Sequence, residues 1–247
     1  GMAIGTAQPA AEQLSAVKHY FIACKDVTDI YTAGLYELEA LALLEELFKE
    51  HGTVVMCGGS GLYIDALCDG LDDFPPADQE LRAFLTERAE KEGIAPLRQE
   101  LARLDPESYA TIDIANTQRV IRALEVTIAT GRKFSSFKTS PSKKRSFDIE
   151  KIGLSRPREE LYDRINRRVD LMMEQGLVEE ARALLPYRNA PALNTVGYRE
   201  LFDYFDGKIA LEEAVRLIKR NTRHYAKRQM TWWARDSRIQ WRSVSEL

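Results

Sequence analysis

The chain has 247 residues, 45% of them hydrophobic and 30% charged, with a net charge of −3. It is therefore not a polycation, and any hold on a polyanion must come from local patches. That length buries a sizeable core as one large or two small domains. No run of about eighteen apolar residues is present to span a membrane, the start Gly1-Met2-Ala3-Ile4-Gly5 lacks signal-peptide features, and Cys24, Cys57 and Cys68 show no metal-ligand spacing. A reduced, cytoplasmic protein without structural zinc is the expectation.

In chain order, Leu35 to Phe48 reads as a helix, with Leu38, Leu41, Leu44 (or Leu43) and Phe48 at helical spacing and Gly52 as its stop. Thr53-Val54-Val55-Met56-Cys57 is a short β-branched apolar run, followed by Gly58-Gly59-Ser60-Gly61 and a periodic stretch from Leu62. Strand, glycine turn and helix make the βα unit of a parallel sheet. Phe74-Pro75-Pro76-Ala77-Asp78 breaks the chain. From Gln79 to Ile128 the sequence is helix-like and highly charged, with no strand pattern, and Gly131 to Arg145 reads as a mobile polar loop. Phe147 to Leu154 returns as a strand, with Ser155 a candidate N-cap and Pro157 in the first turn of the next helix. That helix carries Leu161, Ile165, Val169 and Met172 on one face and ends at Gly176. Helices over Val178 to Leu185, Val196 to Phe205 and Leu211 to about Ala234 follow.

The last helix is the most informative. Val215, Ile218, Thr222, Tyr225, Gln229 and Trp232 alternate by three and four, which predicts one buried stripe. Arg216, Arg220, Arg223 and Lys227 form a second stripe, flanked by Lys219 and Arg228, with no acid before Asp236. A solvated face usually mixes signs, because like charges oppose a helix. A one-sign ridge ending at Trp232 and Trp233 suits phosphates and a stacked base; a basic exposed helix with core tryptophans is the alternative. The glycine turn at 58–61 would let an anion approach a helix N-terminus, or it is only a turn. Gln118 and Arg122 share a helix face, where Gln can read an adenine edge and Arg can hold phosphate. A polar face with an Arg122–Glu125 contact is the other possibility. Arg164 and Arg168 could clamp a diphosphate, unless Asp163 and Asp170 neutralise them. His19, His51 and His224 show no metal spacing, and no Ser-His-Asp order stands out.

Taken in order, Gly1 to Pro9, Gly58-Gly59-Ser60-Gly61-Leu62-Tyr63, Gln118 to Glu125, Val196-Gly197-Tyr198-Arg199-Glu200 and Lys227 to Trp232 resemble the tRNA dimethylallyltransferase family over essentially the whole chain. The resemblance implies an α/β fold with a P-loop-kinase-like parallel sheet core, incomplete at the N-terminus, and an inserted helical domain. Residues 1–76 and 146–247 would form the core with its C-terminal helices, and 77–145 the insertion. It implies transfer of a dimethylallyl group from dimethylallyl diphosphate to an adenosine amine beside the anticodon, in tRNAs reading codons that begin with U, assisted by Mg2+. The enzyme would be a monomer binding the anticodon stem-loop. Ser60, Arg82, Gln118, Arg119, Val120, Ile121, Arg122, Asn194, Thr195, Val196, Gly197, Tyr198 and Arg199 match tRNA-touching positions. So do Lys227, Arg228, Gln229, Met230, Thr231, Trp232, Trp233 and Ala234, with Arg220 and Arg223 added from the ridge. Arg168 matches a diphosphate-binding arginine.

The pattern departs from the family in two places. Family members begin with a strand, a P-loop and an Asp-Ser segment upstream of the point matching Gly1, so the general base and P-loop are expected outside this sequence and the chain alone is expected to be inactive. Asn116-Thr117 also stands where many relatives have Asp-Pro, which should alter only a helix start. An adenylate isopentenyltransferase and a non-catalytic RNA-binding fragment are the competing readings. The basic ridge favours tRNA over a free nucleotide.

Overall fold

A computed structural model describes residues 1–139 and 142–244. By internal packing the chain forms two units, Gly1–Cys68 with Phe147–Leu247, and Asp69–Ser146.

The first unit carries α1 (Ala11–Ala16), α2 (Ala33–Leu47) and most of α3 (Gly61–Asp69). Thr32 caps α2 by accepting from the Leu35 N–H at 3.2 Å. The run Thr53–Cys57, expected as a strand, pairs with no other strand among the described residues, and Val55 is 79% exposed. β-branched composition favours extension, but a strand exists only where a neighbour takes up its backbone hydrogen bonds.

The second unit is built from α4 (Gln79–Glu92), α5 (Ala95–Leu104), α6 (Pro106–Thr111) and α7 (Thr117–Thr130). Local chemistry marks each boundary. Asp78 accepts from the Leu81 N–H, Pro96 and Pro106 sit in first turns, and Asn116 accepts from the Arg119 N–H. Gly131, at φ +66°, closes α7 in the left-handed region. Leu85, Leu97, Leu101, Val120, Ile121, Ala123 and Leu124 form the core. Part of the expected mobile loop is instead anchored. A 3-10 turn at Phe134–Phe137 stacks Phe134 on Phe74 with centroids 4.6 Å apart. Buried Asp105 accepts from the N–H and hydroxyl of both Ser108 and Ser135. Burial alone would raise the Asp105 pKa, but these four hydrogen bonds outweigh it and leave the carboxyl below its ordinary value. Ser140 and Pro141 of that loop lie outside the described residues.

Returning to the first unit, β1 (Lys151–Ser155) pairs in parallel with β2 (Ile239–Ser243), Lys151 opposite Ile239 and Ser155 opposite Ser243. The class is therefore α/β. Between the strands run α8 (Arg158–Glu174), α9 (Leu177–Leu184), α10 (Tyr198–Phe205) and α11 (Leu211–Trp233). Ser155 is not an N-cap. It belongs to β1, its hydroxyl donates to the Arg242 carbonyl at 3.3 Å, and Pro157 occupies the cap position. Val169, Leu177, Leu184, Leu193, Tyr198, Leu201, Phe202 and Ile218 make the core where α8 to α11 meet.

Candidate functional site

In the helical unit, the first turns of α7 present Gln118 and Arg119 to solvent, whereas Val120 and Ile121 are buried in the core. The helical period that exposes Gln118 turns those two side chains inward, away from solvent. Arg82 and Arg122 converge on one carboxylate. Glu125 accepts from Arg122 Nη1 at 2.6 Å, from Arg82 Nε at 2.8 Å and from the Asp78 N–H at 2.9 Å. Arg122 Nη2 also donates to the Pro75 carbonyl at 2.8 Å. Beside this cluster lies a recess of about 420 Å³, lined by Asn116, Gln118, Arg119, Arg122, Phe134 and Lys138 among others.

In the other unit the glycine turn and α11 lock together. Gln229 Nε2 donates to the Gly59 carbonyl at 2.9 Å, and Trp232 Nε1 to Asp65 Oδ2 of α3 at 2.9 Å. A Cβ on Gly59 would stand 2.1 Å from Gln229 Nε2, and one on Gly61 2.4 Å from Trp232 Nε1. The close approach that these glycines permit is thus occupied by the protein's own side chains. Ser60 remains exposed at the start of α3. Lys227, Arg228, Met230, Thr231 and Ala234 are exposed, and Trp233 is half-buried.

Of the expected stripe on α11 only Ile218 is buried. Val215, Thr222, Gln229 and Trp232 are half-buried and Tyr225 is 43% exposed, since the helix there has passed the core formed with α8, α9 and α10. The basic ridge is partly neutralised. Arg216 pairs with Glu213 at 2.6 Å and Lys219 with Asp170 of α8 at 2.5 Å. Arg220 donates to Asn221, and Arg223 donates to Asn166 at 2.7 Å while lying over the Tyr162 ring. These last two cations hydrogen-bond to neutral groups, although Arg220 also acts at a distance on the Glu213 carboxylate, and Lys227 and Arg228 are exposed.

Of residues 194–199, Asn194, Thr195 and Arg199 are exposed and Val196 is half-buried, but Gly197 and Tyr198 are buried. Tyr198 donates its hydroxyl to Glu180 at 2.7 Å, and Glu180 also accepts from the Ile4 and Gly5 N–H groups, each at 2.9 Å. Burial, reinforced by that carboxylate, pushes the Tyr198 hydroxyl well above its ordinary pKa. Its side chain therefore serves the fold. Arg168 is exposed on α8, as are Arg164 and Arg167, so the structure leaves these cations accessible. The Arg122–Glu125 contact raised from the sequence is present, at the i, i+3 spacing of a helical ion pair. In the other unit, sequence reasoning missed the carboxylates of Glu180 and Glu200, the latter accepting from the Gly197 N–H and Asn221.

Residues 1–236 match the family model described as IPP transferase. The chain is 52% identical over 238 residues to the tRNA dimethylallyltransferase 1 of Phocaeicola vulgatus, covering 96% of this chain and 79% of that protein. It is 51% identical to the tRNA dimethylallyltransferase of Christiangramia forsetii, over 99% and 81% of the two chains. Among solved structures, the full-length tRNA isopentenylpyrophosphate transferase of Bacillus halodurans superposes with a TM-score of 0.67 at 36% identity, over 98% of this chain and 77% of that one. A eukaryotic dimethylallyltransferase acting on tRNA reaches 0.80 at 22% identity, over 98% and 64%, a likeness of fold.

Proposed function

The chain belongs to the IPP transferase family, and we propose that it transfers a dimethylallyl group from dimethylallyl diphosphate to the exocyclic amine of the adenosine 3′ to the anticodon. Its substrates are then tRNAs reading codons that begin with U, bound through the anticodon stem-loop by a cytoplasmic monomer.

The observation that carries the RNA half of this reading is the far end of α11. Among the described residues Arg220 and Arg223 hydrogen-bond to neutral asparagines, and Lys227 and Arg228 stand exposed on the same helix. A free nucleotide offers too few phosphates to use such a row, whereas a stem-loop backbone supplies them in series. The reacting adenine leaves its stack at a cost of a few kcal/mol. Its amine nitrogen forms a bond to the first prenyl carbon, the carbon–oxygen bond to diphosphate breaks, diphosphate leaves with the electron pair, and the amine gives up a proton. Arg168 is the cation we propose for the leaving diphosphate, since an arginine fork matches phosphate oxygens. Ser60, Gln118, Arg119, Asn194, Thr195 and Arg199 are the exposed polar groups proposed to meet the RNA. Asp69–Ser146 is proposed to be the domain inserted into the sheet core.

No general base is assigned among the described residues. Enzymes of this family use a divalent metal, and Mg2+ is the ion we propose. The described residues do not fit one by themselves, because no three His, Cys, Asp or Glu side chains come together, and no step is routed through it.

The gene encoding this chain, expressed in a bacterial host stripped of its own tRNA prenylation, tests the reading. Nucleoside mass spectrometry of tRNA digests should then show dimethylallyl-adenosine. Its absence, or prenylation of adenosine monophosphate instead, would overturn the proposal.

A further inference from the structure

Glu125 is 1% exposed, flanked on α7 by buried Ala123, Leu124 and Val126. A carboxylate is kept in such a place only when its charge is paired and its oxygens are satisfied; otherwise an apolar side chain is at least as stable. Oε1 accepts from the Asp78 N–H and Arg122 Nη1, and Oε2 from Arg82 Nε. Arg82 Nη2 lies 2.8 Å from the same Oε2. A guanidinium has five N–H donors. Arg82 turns two toward Glu125, and Arg122 gives one to Glu125 and one to Pro75. Three remain on each. One carboxylate against two guanidiniums also leaves positive charge over. Neither arginine is sealed in, since their side chains are 37% and 27% exposed. Arg122 opens on the recess that Arg119 and Lys138 also line, and among the described residues no acidic side chain is part of that lining.

We propose that Glu125 is a positioning residue for RNA capture. Its buried carboxylate fixes Arg82 and Arg122, so that the spare donors of Arg122 in the recess and the surplus charge of the pair meet a backbone phosphate. The inference rests on the tRNA-prenylating reading above. A charge held in fixed orientation loses less conformational entropy on binding than a free surface arginine does, which is what the buried carboxylate supplies.

The test uses the protein as expressed from its gene, with Glu125→Gln, Arg82→Lys and Arg122→Lys. Gln offers one acceptor oxygen and turns an amide donor toward the guanidiniums. Each Lys keeps the charge opposite Glu125 but loses the fork that leaves donors over. Steady-state kinetics, thermal melting and filter binding of an anticodon stem-loop across a salt series are read for each. The KM for tRNA should rise about tenfold, the loss expected for a hydrogen bond to a charged group. kcat at saturating tRNA and the KM for dimethylallyl diphosphate should stay within about twofold. The slope of log affinity against log salt should fall by about one unit for each phosphate that the variant no longer neutralises. A lower melting temperature with wild-type tRNA KM and salt slope would make Glu125 a structural brace and overturn the inference. Should Glu125→Gln not fold, the two lysine variants decide, and a wild-type KM for tRNA in both sinks it. Wild-type protein that binds the stem-loop but never prenylates it would defeat the functional reading instead.

Discussion

Gly61→Ala separates two explanations of the glycine turn. If the turn is glycine-rich so that a ligand can approach, alanine should leave folding intact and weaken function. If it is glycine-rich because α11 presses on it, alanine should weaken folding. The new Cβ would stand 2.4 Å from Trp232 Nε1, 2.5 Å from Cε2 and 2.6 Å from Cδ1, all inside van der Waals contact. Gly61 opens α3 and has no left-handed φ, so alanine brings no backbone strain and gains roughly 0.5–1 kcal/mol in helix propensity. Against this, overpacking costs about 1–3 kcal/mol. Moving the indole also loses its hydrogen bond to Asp65, worth about 1.5–3 kcal/mol because the acceptor is charged. The net loss should be about 2–5 kcal/mol, a melting temperature roughly 5–15 °C lower for a chain of this size. Denaturant unfolding of Gly61→Ala, Trp232→Ala and the double variant completes the cycle. Once the indole is gone the methyl has room, so the double variant should be no less stable than Trp232→Ala alone. Wild-type stability in Gly61→Ala, or strictly additive losses in the double variant, would refute the reasoning.

Arg220→Ala and Arg223→Ala should each weaken all substrate tRNAs alike and lower the salt slope by about one unit. Arg216→Ala and Lys219→Ala should change it less, because Glu213 and Asp170 already neutralise those cations; equal effects at all four positions in a salt-series titration would contradict this. Acid stability should depend on Asp236, whose carboxyl is held well below the ordinary range by hydrogen bonds from Arg238 and, despite partial burial, from Lys151. Its folded pKa lies below its unfolded one, so its contribution is complete above the unfolded value of about 3.9 and is lost as pH falls through the folded value. Asp236→Asn should therefore flatten the stability profile below about pH 4 in pH-dependent unfolding, and an unchanged slope there would count against the reading.

Helical character over Leu35 to Phe48, Gln79 to Ile128 and Leu211 to about Ala234 was legible in the chain because its signals are local. The division of Gln79 to Ile128 into α4 to α7 came from the structure, where Asp78 and Asn116 cap α4 and α7 and Pro106 opens α6. The 3.6-residue period that buries Val120 and Ile121 while exposing Gln118 is set by covalent geometry. The order of motifs along the chain was enough to identify the family. Tertiary structure alone decided which functional candidates are free to act. Gln229 reaches the Gly59 carbonyl across 170 residues, Lys219 finds Asp170 on another helix, and Tyr198 disappears beneath the N-terminal segment onto Glu180. The strand pattern at Thr53–Cys57 was likewise local, but a ladder needs a neighbour, and β2 is a strand because β1 lies beside it in register. A side chain's type and spacing define what it can bind. Whether it binds a ligand or another part of the same chain depends on distances between residues far apart in sequence, and only folding sets those.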